Sequence, residues 1–521
     1  MQADSPPLEY VLKFCELIFN TVHMEYFRLR FLLLALSLLL GVSLSAAGYF
    51  RYHTEAQTIY KKIFELKLTE AAAMTARMKA SEPDNLVVHH LEDYIDFFKI
   101  FVSEDEALYK KLLPNLSTRL DRVSSGDETS PYYLYTQAEI RLHWALLKFR
   151  FEDYFSAFTD INRAHKLLLE NNTRFPDFLA NKKDLGILHA AVGTVPDNYR
   201  WALEMLSSLE GSVEQGKREV EEVLTTGRRT GFIFQQETQV LYVFLLLHLD
   251  GRPDAAWQAL ENAALRPAET PLHAFVMANV AMRTGRNEQA IRWMEAAPRG
   301  TEFFTFPYLD YMLGVAKLRR LDTSARKHLL TFLNNTHGRH YIKEAYQKLA
   351  WAEWLDGRES GYRRYMQLVT TQGAAAAGGD KNALKEAQLG KLPNLTLLQA
   401  RLLYDGGYYE RGMSLLNNKQ ESSFSDFLNR LEFVYRKGRI LHGMERYAEA
   451  LETYDRTITL GQQNDAFFAC NAALQAGMIA EKLNRKETAK SYYRKCLSLS
   501  PADYQTSLHQ QAKAGLNRLG R

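Results

Sequence analysis

The chain has 521 residues, and its 65 Lys and Arg nearly balance its 61 Asp and Glu, so the formal net charge is +4 at pH 7. With 46% hydrophobic and 24% charged residues and only 29 Gly and 14 Pro, the composition excludes collagen, a disordered tail protein and a polytopic membrane protein. A charge this close to neutral gives no support for a nucleic-acid partner, and three Cys exclude a disulfide scaffold and a four-Cys zinc site. The length fits about three or four domains or one long repeat array.

The first feature along the chain is residues 31–50, a run of twenty residues without charge that follows Arg28 and Arg30. A helix of this length crosses the roughly 30 Å hydrocarbon core of a membrane. We therefore predict one N-terminal hydrophobic helix, which the remainder of the chain does not repeat.

Two interpretations of this helix compete, and a buried core helix is a third. In the first, residues 1–23 lie upstream of a true start at Met24, and residues 24–50 are an export signal cut after Ala47. In the second, residues 24–50 are a single transmembrane anchor, with residues 1–30 inside the cell. Both place the main body outside the cytosol, either anchored to the inner membrane or exported to the periplasm or outer membrane.

From residue 51 onward the apolar residues recur at helical spacings of three and four. Residues 51–130 read as amphipathic helices that form an N-terminal cap, joined to the following helices by a hinge at 124–127. No alternating strand pattern of useful length is present, so we expect an all-α protein.

An internal repeat is clearest near the end of the chain. Gly438, Ala450 and Tyr454 are spaced by twelve and four residues, and Gly477, Ala489 and Tyr493 repeat this spacing, followed by Pro501. Two small residues allow two helices to cross closely, and the large residue fills the gap against the next pair. Proline then ends the second helix because it has no N–H to donate.

This pattern resembles the tetratricopeptide-repeat family over roughly residues 131–521. The resemblance implies a right-handed superhelical α-solenoid of about eight helix pairs that binds protein partners. Residues 131–420 carry degenerate repeats, and residues 421–521 carry two clear repeats and a C-terminal capping helix. Gly-containing turns at 250–252, 284–286, 356–358 and 405–407 fall between the two helices of a pair.

Residues 184–227 are predicted to be an inserted helical hairpin, with a capping box formed by Ser212 and Gln215. The positions of Gly186, Pro196, Gly211 and Gly216 in this segment are similar to those of Gly and Pro in tetratricopeptide proteins of the mitochondrial outer-membrane and inclusion-clearance group. They are also similar to envelope proteins of the Bacteroidetes type. Residues 371–380, TQGAAAAGGD, read as a flexible or frayed insertion between repeats.

No catalytic motif is found, and we predict no cofactor and no metal ion. His337 and His340 are interpreted as a solvated loop pair, and His89 with His90 likewise. Cys470 and Cys496 lie where antiparallel helices bring their ends together, so either two free thiols or a disulfide is compatible with the sequence.

The resemblance also indicates which residues line the groove of the superhelix, because fixed positions of each first helix face it. Aromatic and Arg side chains are enriched at protein contacts, and aromatic rings also stack on sugars. An error of one residue in the register would instead place Trp351 and Trp354 in the core. The candidate partner-binding residues are Phe275, Tyr308, Tyr311, Trp351, Trp354, Arg401, Tyr404, Tyr435, Arg439 and His442.

The sequence therefore favours a non-enzymatic scaffold in the bacterial cell envelope that grips a segment of a partner protein in its groove. The alternative is a helical-repeat protein that binds glycans for nutrient uptake, although no lipoprotein Cys follows the apolar run. An enzyme would need a reaction centre in residues 184–227.

Overall fold

The computed structural model describes residues 48–194 and 209–520. Most of the predicted hydrophobic helix, and part of the predicted hairpin at 184–227, lie outside these residues. Among the helices that are described, none is long and apolar enough to span a membrane. The described part of the chain is helical, with a single isolated β-bridge between Tyr49 and Asn85.

Five helices precede the repeats. Their order is α1 (Thr54–Phe64), α2 (Leu68–Ser81), α3 (Val87–Ser103), α4 (Glu106–Leu112) and α5 (Asn115–Val123). Helix α3 is the most deeply buried of the five, and it packs on α1, α2 and α5.

The helices that follow are packed in consecutive pairs. The first pairs are α6 (Pro131–Arg150) with α7 (Tyr154–Arg174), α8 (Leu179–Gly193) with α9 (Val213–Thr230), α10 (Gln235–Phe244) with α11 (Pro253–Glu261), and α12 (Pro271–Arg283) with α13 (Asn287–Ala296). A π-helical turn, Leu245–Leu249, continues α10. The next pairs are α14 (Pro307–Arg319) with α15 (Ala325–Asn335), and α16 (Ile342–Leu355) with α17 (Glu359–Thr371).

An additional helix, α18 (Gly378–Leu389), packs on both α16 and α17. The last pairs are α19 (Leu395–Asp405) with α20 (Tyr409–Leu416), α21 (Phe427–Gly443) with α22 (Tyr447–Gly461), and α23 (Phe468–Lys482) with α24 (Lys486–Ser498). A short 3-10 turn, Glu421–Ser423, precedes α21, and α25 (Gln505–Arg518) covers the last pair.

In eight of the nine described pairs, the turn between the two helices has the same backbone conformation. A single residue with left-handed φ joins the two helices, and Gly occupies that position in four pairs. In four other pairs a non-glycine residue adopts it, although this conformation is unfavourable for L-residues. The turn residues are Glu152, Gly251, Gly285, Leu321, Gly357, Gly407, Glu445 and Asn484.

The crossing of each late pair is built from small residues, as the spacing predicts. Gly438 and Gly477 are buried, and Ala450 and Ala489 have no exposed surface. A methyl group on Gly477 would lie 2.6 Å from the ring of Tyr493, which itself has no exposed surface. The predicted all-α fold of stacked helix pairs is therefore confirmed for the described residues.

The segment predicted to be frayed, residues 371–380, is anchored at its last residue. Asp380 is fully buried, and its carboxylate accepts hydrogen bonds from the backbone N–H of Tyr341 at 2.8 Å and of Glu344 at 3.0 Å. It thus caps the start of α16 from another part of the chain, satisfying N–H groups that helix α16 leaves without internal partners.

Candidate partner-binding groove

The protein's own N-terminal helices contact α10, α14 and the residues just before α14 and α16. Tyr60 in α1 donates a hydrogen bond to Glu237 in α10 at 2.6 Å. The carbonyl of Leu66 accepts one from the N–H of Phe304, just before α14, at 2.7 Å. Helix α3 packs on α14. These contacts show that the N-terminal helices pack against the middle repeats.

Three of the candidate residues belong to these middle repeats. Phe275, Tyr308 and Tyr311 form one aromatic cluster with Tyr341, with ring centroids 4.8 to 6.1 Å apart. Tyr311 is only 6% exposed, and burial raises the pKa of both Tyr308 and Tyr311. Arg150 lies 5.9 Å over the ring of Tyr341. The expected exposure of Tyr311 is not found, because the chain itself fills the space.

A second region, farther along the chain, is open. A cavity of about 550 Å³ lies between α16, α18, α19 and α21 and is called the α16–α21 cavity below. Two candidate residues, Trp351 and Arg401, line it. Its other lining residues are Glu386, Leu389, Lys391, Leu392, Pro393, Asn394, Leu398, Asp426, Leu428, Asn429 and Glu432.

Trp351 forms the floor of this cavity and does not project into it. Only 2% of its surface is exposed, and its indole N–H donates to Glu386 of α18 at 2.7 Å. Lys348 lies 3.9 Å and Arg401 4.9 Å from the ring centroid. The predicted exposure of Trp351 is therefore wrong, because α18 packs against it. The repeat pattern in the sequence does not include this additional helix.

The rim of the cavity carries exposed apolar side chains. Leu389 at the end of α18 is 62% exposed and Leu428 at the start of α21 is 43% exposed. Three carboxylates, those of Glu386, Asp426 and Glu432, also line the space. Apolar anchors beside fixed charges are the arrangement that protein-contact sites use for affinity and for orientation.

The remaining candidates bind one another. Arg439 donates to the hydroxyls of Tyr404 at 3.1 Å and Tyr435 at 2.9 Å, and Tyr435 is 2% exposed. His442 lies 3.3 Å from the hydroxyl of Tyr454, and burial together with the charge of Arg439 lowers its pKa to about 4. These groups hold α21 against its neighbours, and Tyr435 does not have the predicted exposure.

Trp354 is likewise engaged within the chain. Its indole N–H donates to the carbonyl of Pro393 at 3.0 Å, and its ring packs near Tyr362. This bond ties α16 to the segment that enters α19, beside the cavity.

A buried ion cluster was not predicted from the sequence. Lys183 in α8 is fully enclosed, with its ammonium 2.5 Å from Glu139, 2.7 Å from Glu237 and 3.2 Å from Asp184. One ammonium thus faces three carboxylates. Burial, with the charges of Glu139 and Glu237, raises the pKa of Asp184 to about 7. The only sequence signal for this cluster is the presence of charged residues on otherwise apolar helix faces.

Hydrogen bonds from the N-terminal helices complete the cluster. Tyr94 in α3 donates to Glu139 at 2.7 Å, and His90 pairs with the same carboxylate at 2.8 Å. His90 has no exposed surface, and His340 pairs with Glu104 at 2.8 Å. The expectation of solvation is therefore wrong for His89, His90 and His340, whereas His337 is exposed.

The glycines of residues 184–227 act in packing. A methyl group on Gly216 would lie 2.1 Å from the carbonyl oxygen of Gly186, so α8 and α9 cross at very close range. Ser212 accepts a hydrogen bond from the N–H of Gln215, but the Gln215 side chain bonds His189 and not the cap. The predicted capping box is therefore only half formed.

Within the described ranges, no group of three or more His, Cys, Asp or Glu is placed to hold a metal ion. Residues 471–503, which span most of α23 and all of α24, match the family model of the tetratricopeptide repeat. The same turn conformation and the same small-residue crossing recur outside that match. Residues 471–503 therefore form a tetratricopeptide repeat at the end of an array of similarly built helix pairs.

Solved structures similar to this chain share little sequence with it. The APC/C hetero-tetramer Cut9-Hcn1 is 12% identical, covering 89% of this chain and 95% of that chain, with a TM-score of 0.25. The TPR domain of P58(IPK) is 15% identical, with coverage of 81% and 99% and a TM-score of 0.19. Yeast Tom70 is 11% identical, with coverage of 88% and 96% and a TM-score of 0.23. No curated protein matches the chain in sequence. At TM-scores this low, the assignment rests on the repeat match and the recurring geometry.

Proposed function

We propose that the protein is a non-enzymatic scaffold that binds a segment of a partner protein in the α16–α21 cavity. The observation that carries the proposal is the contrast along the first helices: one stretch is contacted by the chain's own N-terminal helices, while this cavity of about 550 Å³ is open. The exposed Leu389 and Leu428 supply apolar anchors for the partner segment, and Arg401 and Glu432 supply charges of both signs.

The cavity suits a peptide better than a sugar. A glycan platform needs an aromatic face that is free to stack on the ring. Trp351, the aromatic residue that lines the cavity, is 2% exposed and has two cations over its ring. No observation therefore favours glycan binding as a second function.

A photo-crosslinking amino acid placed at Leu389 or Leu428 tests the proposal in cells. Leu330 in α15 and Leu169 in α7 are matched controls, because they are 38% and 40% exposed but do not line the cavity. Both cavity positions should capture the same protein, and both control positions should not. Equal capture from all four positions would contradict a specific site.

The captured protein should then be purified and its affinity measured. Leu389→Asp and Leu428→Asp are each expected to weaken binding by roughly tenfold or more, because they remove an apolar anchor and add a charge. Leu330→Asp should leave the affinity within about twofold. An unchanged affinity in the two cavity variants would refute the proposed site.

We further propose that the protein acts in the bacterial cell envelope, with the repeats outside the cytosol. The support is the uncharged run at residues 31–50 after Arg28 and Arg30. A reporter enzyme that is active only outside the cytosol, fused after residue 521, should be active. Activity of a cytosol-specific reporter at the same position would reject this location.

A further inference from the structure

The last repeat brings two cysteine thiols into contact. Cys470 lies near the start of α23 and Cys496 near the end of α24, and their Sγ atoms are 3.5 Å apart. Both are free thiols, with 1% and 0% of their surfaces exposed. No other cysteine belongs to the described part of the chain, since Cys15 lies before it.

The surroundings hold the two thiols toward each other. Sγ of Cys470 lies 3.4 Å from the carbonyl oxygen of Cys496. Sγ of Cys496 lies 3.9 Å from the carbonyl oxygen of Leu508, in the covering helix α25. A disulfide has an S–S length of about 2.05 Å, so the sulfurs need to approach by a distance that side-chain torsions can supply.

We propose that Cys470 and Cys496 form a redox site that closes into an intramolecular disulfide when the protein meets a small-molecule disulfide oxidant. The Cys470 thiolate attacks one sulfur of the oxidant, such as glutathione disulfide, and releases one glutathione thiolate. The Cys496 thiolate then attacks the Cys470 sulfur of the mixed disulfide and releases the second glutathione. The two protein thiols lose two electrons, which reduce the oxidant, and their two protons end on the two glutathione thiols.

The order of attack follows from the hydrogen bond between the thiols. This bond lowers the pKa of Cys470 and raises that of Cys496, so Cys470 is the more readily ionised of the pair. Since both sulfurs are buried, the oxidant reaches them only when α25 opens. Helix α25 is the last described helix and lies on both α23 and α24, which carry the two thiols, so its opening gives the oxidant access to the pair without disturbing earlier pairs.

The disulfide between Cys470 and Cys496 would stabilise the last helix pair of the array. It joins residues 26 positions apart in sequence, at the two ends of the last helix pair. Closing a loop of this length restricts the unfolded chain and so favours the folded repeat. In an oxidising compartment the last repeat is then covalently closed, whereas in a reducing one it is held by packing alone. This chemistry does not depend on the proposed partner site.

The test uses the full chain with Cys15→Ser, so that only the two thiols of interest remain. The reduced protein is incubated with glutathione disulfide, unfolded in the presence of N-ethylmaleimide, and weighed by mass spectrometry. We expect no maleimide adduct, no bound glutathione, and a mass lower by two hydrogen atoms. The control Cys15→Ser with Cys496→Ala should stop at one bound glutathione, because it lacks the second thiol.

Two results would overturn the proposal. Two maleimide adducts after oxidation, both in buffer and in urea that opens α25, would show that the thiols do not react. Two bound glutathiones in place of a closed ring would show that the geometry does not allow closure. Hydrogen exchange supplies the second measurement: in the oxidised protein, protection of α23 and α24 should rise by roughly thirtyfold or more. Unchanged protection would overturn the stabilising role of the disulfide.

Discussion

The two ends of the repeat array bury very different side chains beneath the same backbone unit. Around α6, α8 and α10 the interior contains a lysine, three carboxylates and the tyrosines and histidines that bond to them. Around α21 to α24 it contains alanine, glycine and tyrosine, with Ala450, Ala489 and Gly477 at the helix crossings. The helix pair is therefore specified by its turn and its packing, and several core chemistries satisfy both.

The comparison also explains why the repeat is easier to recognise in the sequence near the end of the chain than in the earlier helix pairs. A small-residue crossing tolerates few substitutions, so its spacing stays visible in the sequence. An ion cluster fixes its members by mutual charge and hydrogen bonding, and the partners come from α1, α3, α6, α8 and α10, which are far apart in sequence. Such a cluster therefore produces no short, fixed spacing of residues in the sequence.

The largest expected effect comes from removing the single ammonium of the charged core. Lys183→Met leaves Glu139 and Glu237 buried without a counter-charge, and we expect a loss of roughly 3–5 kcal/mol in the free energy of unfolding. Lys182→Met is the matched control: Lys182 pairs with Glu222 at 2.6 Å near the surface, so its loss should be below about 1 kcal/mol. Urea unfolding followed by tryptophan fluorescence measures both. Equal midpoints for the two variants would show that the cluster is not buried as described.

A smaller loss is expected from overfilling the small-residue core. Gly477→Ala places a methyl group 2.6 Å from the Tyr493 ring, and we expect destabilisation of about 1–3 kcal/mol. Gly378→Ala at the start of α18 is the control, because nothing lies within 4 Å of the added carbon. That variant should be neutral or slightly stabilised, as alanine is the better helix former. Thermal unfolding of the two variants decides the point, and equal losses would contradict the close crossing.

Asp184→Asn, in the buried ion cluster, should change the free energy of unfolding by an amount that depends on pH. In the folded protein the pKa of Asp184 is raised to about 7, above the unfolded value of about 3.9. Its protonated form therefore contributes stability that is present below about pH 4 and lost as the pH rises through about 7. The stability of the Asn variant relative to the original protein should increase from pH 5 to pH 8. Unfolding midpoints measured across this range give the answer, and a constant difference would refute the shift.

The smallest expected effects concern the turn that joins the two helices of a pair. They should be equal at the two ends of the repeat array, because both ends contain the same turn conformation. Glu152 and Glu445 each adopt the left-handed turn conformation, with φ of 66° and 59°. Changing either residue to Gly should raise the free energy of unfolding by about 0.5–1 kcal/mol. Loss of the surface ion pair made by that glutamate reduces this gain. Arg339 and Lys482 are those ion-pair partners. Melting temperatures of the two variants check this, and opposite signs would show that the turns are not equivalent.

The sequence predicts the class of fold because its two signals are local. Helical spacing of apolar residues is read within a few turns, and the crossing residues recur at fixed offsets within one repeat. Helix α18 could not be anticipated in this way, because residues 371–380 look flexible by composition. The burial of Asp380 against the start of α16 is a tertiary contact that composition does not contain.

Less can be inferred from the sequence about the candidate cavity. Trp351 and Arg401 lie on first helices of the pairs and line the same cavity, and this proximity is a tertiary contact. The repeat spacing does not show that α18 covers Trp351, that Arg439 bonds Tyr404 and Tyr435, or that Tyr308, Tyr311 and Tyr341 pack on one another. Leu389 and Leu428 carry no motif and become evident only from their exposure beside the cavity.

The contacts of α1 and α3 with residues 234–340 also bear on how the chain acquires its structure. An ordinary solenoid can nucleate at any repeat and grow by adding neighbours, and its energetics approximate a one-dimensional chain. Here the bond between Leu66 and Phe304 closes a loop of well over two hundred residues. Such closures raise the contact order. During synthesis, the N-terminal helices can make these contacts only after the middle repeats have left the ribosome. We therefore expect slow, cooperative folding of the front of the molecule and rapid, stepwise growth at its end.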